Sequence, residues 1–89
     1  MKITYGSIKE AANQAKHSLS LALATELEWE AALTWTDNRK DYGEICQSAL
    51  VLRENRLYFV AFVDRADARR VISLRKANDR EVNRYVSND

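Results

Sequence analysis

The chain has 89 residues and no proline, with 46% hydrophobic and 30% charged side chains. This balance suits one folded domain over residues 1–89 and excludes a disordered chain, since disorder needs low hydrophobicity and high net charge. The single cysteine, Cys46, excludes an intramolecular disulfide, and the lack of a long apolar run predicts a cytoplasmic protein without a membrane span. The net charge is only +1, yet residues 53–89 hold nine Lys and Arg against six Asp and Glu, which indicates a localised anion-binding surface.

The N-terminal part of the chain predicts a short strand followed by a helix. Residues 2–5 have a strand pattern, and Ser7 with Glu10 has the spacing of a capping box, which starts a helix. Apolar residues then recur at helical spacing and predict a narrow stripe that packs against a sheet: Ile8, Ala11, Ala12 and Ala15.

A second, short helix is predicted next. Ser18 and Ser20 are both suitable N-cap residues, and Leu19, Leu23 and Leu27 can share one face of the helix that follows.

Residues 31–75 predict a four-stranded antiparallel meander. The third of its strands is apolar on both faces, which is typical of a central strand covered on two sides. The predicted strands are residues 31–36, 44–52, 57–63 and 69–75. Asn78 with Glu81 then repeats the capping pattern before a last helix. The predicted class is therefore α+β, in the order βααββββα.

Residues 69–85 pass from a strand pattern to a helix pattern while carrying five arginines and Lys76. Arginine stays charged and presents a planar fork of donors that matches phosphate oxygens, so this run indicates a phosphate-rich partner. The alternative is a charged edge that is merely solvated.

Short segments in a characteristic order run through almost the whole chain: Lys16-His17 before Leu19-Ser20, Glu28-Trp29-Glu30, Asp41-Tyr42-Gly43-Glu44, Arg65, Arg70 to Ala77, Arg80-Glu81 and Arg84-Tyr85. Together they resemble the BrnT family of bacterial toxins, which are small ribonucleases with a RelE-like fold, each paired with a BrnA antitoxin. The chain differs from the family pattern at Ser18, where glycine is usual, and at Cys46, where an arginine often follows the Gly-Glu pair.

The resemblance implies metal-free RNA cleavage, which needs a base, an acid and cations that stabilise the charge on the phosphate. RelE-like toxins use Lys and Arg for this, sometimes with a carboxylate or a tyrosine. The catalytic candidates are Lys16, His17, Glu44, Arg65 and Arg75. The candidates for substrate binding are Arg70, Lys76, Arg80, Arg84 and Tyr85, and no metal or cofactor is expected.

Each candidate also has a structural alternative. Arg65 and Arg75 are the expected phosphate ligands but could form surface ion pairs with nearby carboxylates such as Glu81. On an ideal strand Arg70 points away from the face that Arg75 uses. Glu44 could act as a base, orient an arginine or be an exposed edge carboxylate.

For Lys16 and His17, the alternative to proton transfer is a favourable position at a helix C-terminus, where the helix dipole attracts cations.

Two functions follow from the resemblance. In the first, the chain is a toxin that cuts mRNA, inhibits translation and growth, and is neutralised by a BrnA-like ribbon-helix-helix antitoxin, with DNA contacted only through that partner and no membrane involved. In the second, which Cys46 and Ser18 favour, it is a catalytically weakened binding module that acts with its antitoxin in DNA autoregulation.

Overall fold

A computed structural model of the protein describes residues 1–37 and 44–88. In chain order its elements are strand β1 (Ile3–Thr4), helix α1 (Ser7–His17), two 3₁₀ segments (Leu21–Glu26 and Trp29–Ala31), strands β2 (Leu33–Asp37), β3 (Cys46–Arg53), β4 (Arg56–Arg65) and β5 (Ala68–Lys76), and helix α2 (Asp79–Ser87). The α+β class is confirmed. The predicted turn at residues 37–43 lies mostly outside the described residues.

The described strands form one five-stranded sheet in the order β1-β5-β4-β3-β2. Strands β2 to β5 pair antiparallel in sequence order, so the predicted meander is confirmed, with β4 at its centre. The prediction of a purely antiparallel sheet is wrong, because β1 pairs parallel with β5 at Ile3↔Arg69 and Thr4↔Arg70. A two-residue strand carries too little pattern to reveal its partner, which lies more than 60 residues further along the chain.

The prediction of a second α-helix is also wrong. Residues 21–26 and 29–31 are 3₁₀ segments, and Ser20 caps the first by accepting from the amide of Ala22. These segments place apolar side chains in the core: Leu21 and Ala24 are fully buried and Leu27 nearly so. Packing against the sheet has outweighed helical hydrogen bonding here.

Helix α1 lies against the sheet with the face opposite to the predicted one. Of its residues, all of which the structure describes, Asn13 alone is buried, and Ile8 is 83% exposed. Ala11, Ala12 and Ala15 are exposed as well, so the predicted packing of the apolar stripe is wrong.

Asn13 explains this orientation. Its amide donates to the carbonyls of Leu74 (2.8 Å) and Leu19 (2.9 Å), and its side-chain oxygen accepts from the amide of Leu74 (2.9 Å). The side chain thus satisfies β5 backbone groups at an edge that β1 is too short to cover.

The predicted capping box is wrong too. Gly6 is the N-cap of α1 and no side chain caps it. The Glu10 carboxylate accepts instead from the Ser20 hydroxyl and the Leu21 amide, both at 2.7 Å. Glu10 therefore links α1 to the first 3₁₀ segment. The amides at the N-terminus of that segment have no acceptor within it, whereas those in the first turn of α1 are open to solvent.

The main core lies between the sheet and the layer of 3₁₀ segments and α1. Trp29 packs edge-on against Phe62, with ring centroids 5.5 Å apart, and its indole donates to the carbonyl of Ala24. The remaining core side chains come from the three middle strands: Ala49, Val51, Tyr58, Val60, Val71 and Leu74. No helix in the described part of the chain is long and apolar enough to cross a membrane.

Candidate functional site

The two faces of the sheet carry different elements. Val60 and Leu74 point into the main core, so their strand neighbours Phe59 and Arg75, which pair with each other, lie on the opposite face. We call this the second face. Helix α2 lies over part of it, where Arg84 stacks on Trp35, 4.0 Å from the ring centroid.

A β-bulge brings Arg70 of β5 to this face. Ala61 pairs with Ser73 but Phe62 pairs with Val71, which leaves Ile72 as the extra residue. Because the bulge shifts the alternation by one residue, Arg70 shares a face with Arg75. The expectation from an ideal strand, that they point to opposite faces, is wrong.

An open groove of about 390 Å³ lies between α1 and β5. Four basic side chains line it: Lys9, Lys16, His17 and Arg75. No acidic residue is among the described residues that line it. Low-dielectric walls lined by one sign of charge concentrate the field within a cleft, so this groove attracts anions. It brings together three of the five predicted catalytic residues.

Arg75 is held rigidly at the groove. Its two terminal nitrogens each donate to one oxygen of Glu81 at 2.9 Å, and its guanidinium lies over the ring of Phe59, 4.3 Å from the centroid. The hydrogen bond from Arg75 lowers the pKa of Glu81. The ion pair considered as the structural alternative for Arg75 is therefore present, and it fixes the guanidinium in place.

Glu44 and Arg65 form a second ion pair with two hydrogen bonds, of 3.0 and 3.1 Å. Both side chains are about half exposed. Arg65 lies six residues along β4 from Phe59, the partner of Arg75, or roughly 20 Å at about 3.4 Å per residue. The catalytic candidates thus fall into two groups, and one phosphate cannot contact both Arg65 and Arg75.

Two of the substrate-binding candidates anchor α2. Tyr85 donates its hydroxyl to the carbonyl of Ala31 at 2.8 Å, and Arg84 stacks on Trp35. Lys76 and Arg80 are exposed at the end of β5 and on α2.

Arg70 passes close to the start of α1. A Cβ at Gly6 would lie 2.6 Å from a terminal nitrogen of Arg70, so the absence of a side chain at Gly6 makes room for this guanidinium.

Two residues of interest did not stand out in the sequence. Lys9 lines the groove and lies seven residues before Lys16, a helical spacing that places both on one side of α1. Arg69 pairs with Asp64 at 2.6 and 2.9 Å and packs over Phe62. With its side chain 19% exposed, Arg69 is a packing residue on the core side of the sheet, which we call the first face.

The mixed sheet, the edge-sealing helix and the groove define a small α+β protein with a cationic groove beside its β5 edge. The family model for BrnT, the ribonuclease toxin of type II toxin-antitoxin systems, matches residues 5–81, and the chain belongs to this family. The resemblance seen in the sequence is confirmed. Membership of a type II system implies an antitoxin protein as partner. No curated protein matched the chain. Among the described residues no group of three or more His, Cys, Asp and Glu is placed to hold a metal ion.

Proposed function

We propose that this protein is an endoribonuclease that cleaves mRNA by metal-independent acid–base chemistry, and so inhibits translation and growth, on a RelE-like fold. The observation that carries the proposal is the groove, in which Lys9, Lys16, His17 and Arg75 surround one open space. An RNA phosphate is the ligand that such a set of donors suits, and arginine adds a fork that matches two of its oxygens.

The reaction assigned to the groove is attack of a 2′-hydroxyl on the adjacent phosphorus. A base takes the hydroxyl proton, the 2′-oxygen to phosphorus bond forms, and the bond to the 5′-oxygen breaks as an acid protonates it. His17 or Lys16 serves in proton transfer, because both side chains line the groove together with Arg75. Arg75 and Lys9 stabilise the extra negative charge on the phosphorane.

Glu44 and Arg65 have a different role in this proposal. Their distance from the groove suits contact with another phosphate of the same RNA strand, with Glu44 orienting the guanidinium of Arg65. Arg70, Arg80, Arg84 and Tyr85 lie on the second face or on α2 and are proposed to guide the strand between the two sites.

The partner in this proposal is a BrnA-like ribbon-helix-helix antitoxin. Acidic side chains of the antitoxin would occupy the groove and exclude RNA, and contact with DNA would be made by the antitoxin alone.

The test is growth inhibition on induced expression, together with cleavage of purified RNA with and without EDTA. We expect wild type to inhibit growth and to cleave RNA equally well in EDTA, because cationic side chains supply the charge stabilisation. Loss of cleavage on chelation, with recovery in Mg²⁺ or Mn²⁺, would contradict the metal-independent mechanism.

The second candidate function is the weakened binding module. It is favoured by Cys46, which is buried at the start of β3 where an arginine would add a cation. A harmless wild type that leaves RNA intact but binds its antitoxin would replace the first proposal with this one.

A further inference from the structure

We propose that Arg56 and Lys76, at the hairpin end of the sheet, form a second phosphate-binding subsite for the RNA strand, outside the catalytic groove. We call these two residues, with Tyr58 beneath them, the hairpin subsite. The inference rests on the proposed function, since it takes RNA as the ligand.

The register places these side chains together on the first face. Arg56 is directly opposite Arg53, and Lys76 is directly opposite Tyr58. Arg56 and Tyr58 are two residues apart on β4, so all four point to one side. They line an open recess of about 370 Å³ with the hairpin turn, and Tyr58, only 8% exposed, is its floor.

The cations that line this recess differ in whether they have an acidic partner. Arg53 donates to Glu26 at 2.9 Å, and Glu54 also lines the recess. Among the described residues no ion pair forms to Arg56 or Lys76. An anion between Arg56 and Lys76 would supply the countercharge that these two cations lack among the described residues.

Successive residues at the end of β5 line the groove and the recess. Arg75 lines the groove and Lys76, the next residue, lines the recess. Successive strand residues point to opposite faces, so an extended strand of RNA that crosses the end of β5 contacts one cation on each side. An RNA strand with one phosphate in the groove then has a second phosphate contact at the recess, one or more nucleotides away.

The chemistry favours RNA over the antitoxin as occupant. A protein interface core is depleted of Lys, Glu and Asp and enriched in aromatic side chains, methionine and arginine. The described lining residues of this recess offer charged and polar side chains, and their one aromatic ring is buried. A phosphate backbone needs only the cations.

The experiment measures binding of a fluorescent 2′-O-methyl RNA oligonucleotide, which cannot be cleaved because its nucleophile is blocked, over a range of salt concentrations. For single strands the slope of log K against log salt changes by about 0.7 for each phosphate contact. Arg56→Gln and Lys76→Gln should each lower the slope by about 0.7, and the double variant by about 1.4. On cleavable RNA the same variants should raise KM and leave kcat unchanged.

Lys2→Gln is the matched control. It removes one exposed cation at the other end of β5, where the Lys2 carbonyl accepts from the amide of Arg69, and its salt slope should equal that of wild type.

The outcomes separate this inference from the proposed function. Wild-type slopes in both hairpin variants would overturn the subsite even if wild type cleaves RNA. Lower slopes with no cleavage by wild type would support the subsite and refute the enzyme. If the variants lose affinity for the antitoxin but not for RNA, the recess is a protein contact and the inference is wrong. A wild type that binds no RNA overturns both.

Discussion

Arginine serves two purposes in this chain, and the surroundings of each guanidinium distinguish them. Arg69 is largely buried, packed over Phe62 and paired with Asp64, which is the environment of a packing residue. Arg75 is also paired, with Glu81, but it lines an open groove with other cations. A carboxylate contacts the guanidinium fork through two oxygens, as a phosphate does. Glu81 therefore fixes Arg75 and, under the proposed function, would compete with RNA for its donors.

This competition predicts opposite effects for the two halves of the pair. Arg75→Gln and Glu81→Gln remove the same ion pair, which is worth about 0.2 to 1 kcal/mol for a partly exposed pair, so their melting temperatures should be similar. Arg75→Gln should lower RNA cleavage by about 100-fold or more, as loss of a charge-stabilising donor does. Glu81→Gln should retain or increase cleavage, because it leaves the guanidinium available.

The measurement is kcat/KM on a short RNA for both variants, beside thermal melts. Equal losses of cleavage in the two variants would mean that the ion pair itself is what matters and that Arg75 has no direct contact with RNA. Normal cleavage by Arg75→Gln would remove Arg75 from the catalytic residues.

At the scale of elements, the sequence predicts best what depends on local pattern. Strands β2 to β5 were evident because their alternation and apolar runs are intrinsic to each segment, and the capping box of α2 is confirmed by the hydrogen bonds between Asn78 and Glu81. The orientation of α1 was not evident, because apolar periodicity indicates Ile8 and the alanines as the buried face. The decisive contact is between Asn13 and Leu74, 61 residues away.

The candidate site was predictable to a similar extent. Residue type and family resemblance indicated Lys16, His17 and Arg75, but their convergence needs the docking of α1 against β5, which has no local signal. The bulge at Ile72, which turns Arg70 to the face of Arg75, has no local signal either. The structure also shows why glycine suits position 18. Ser18 ends α1 in a left-handed conformation, with φ 59°, which is energetically unfavourable for a residue that has a Cβ.

Asn13 gives a prediction for the docking of α1. Asn13→Leu leaves the amide and carbonyl of Leu74 and the carbonyl of Leu19 without this partner. Each buried polar group left unsatisfied costs about 1 to 3 kcal/mol, so the free energy of unfolding in urea should fall by at least that amount. Ala11→Leu introduces the same side chain at an exposed position of the same helix and should change stability by less than about 0.5 kcal/mol. Equal stability of the two variants would show that Asn13 does not hold α1 to the sheet.

At the scale of the whole molecule, a net charge of +1 conceals a separation of roles. Carboxylates hold the periphery together: Glu10 links α1 to the first 3₁₀ segment, and Glu81 links α2 to the sheet. Of the cations at the groove and the hairpin subsite, Arg75 has such a partner in Glu81, and no ion pair to the others forms among the described residues. Apart from the Arg75–Glu81 pair, the carboxylates that stabilise the fold and the cations proposed to bind RNA are therefore different groups, and only the carboxylates lose their charge in the acid range.

The last prediction uses this separation. The hydrogen bond from Ser20, and then that from Leu21, lowers the pKa of Glu10, and the hydrogen bond from Arg75 lowers that of Glu81. Because both pKa values in the folded state lie below the ordinary 4.5, the unfolded chain binds more protons in the acid range. The stability that these groups contribute is thus fully present above pH 4.5 and is lost as the pH falls through the lowered values.

We therefore expect these two groups to cause no change of the wild-type urea midpoint with pH near neutrality and to make the midpoint fall below about pH 4.5. Glu10→Gln should lower the midpoint near neutral pH and should make it fall less steeply in acid, because glutamine has no proton to gain. Glu30→Gln, at an exposed position within the second 3₁₀ segment, is the control and should follow the wild-type curve. A Glu10→Gln curve parallel to wild type through the acid range would show that the Glu10 carboxylate contributes nothing to holding α1 against its neighbouring segment.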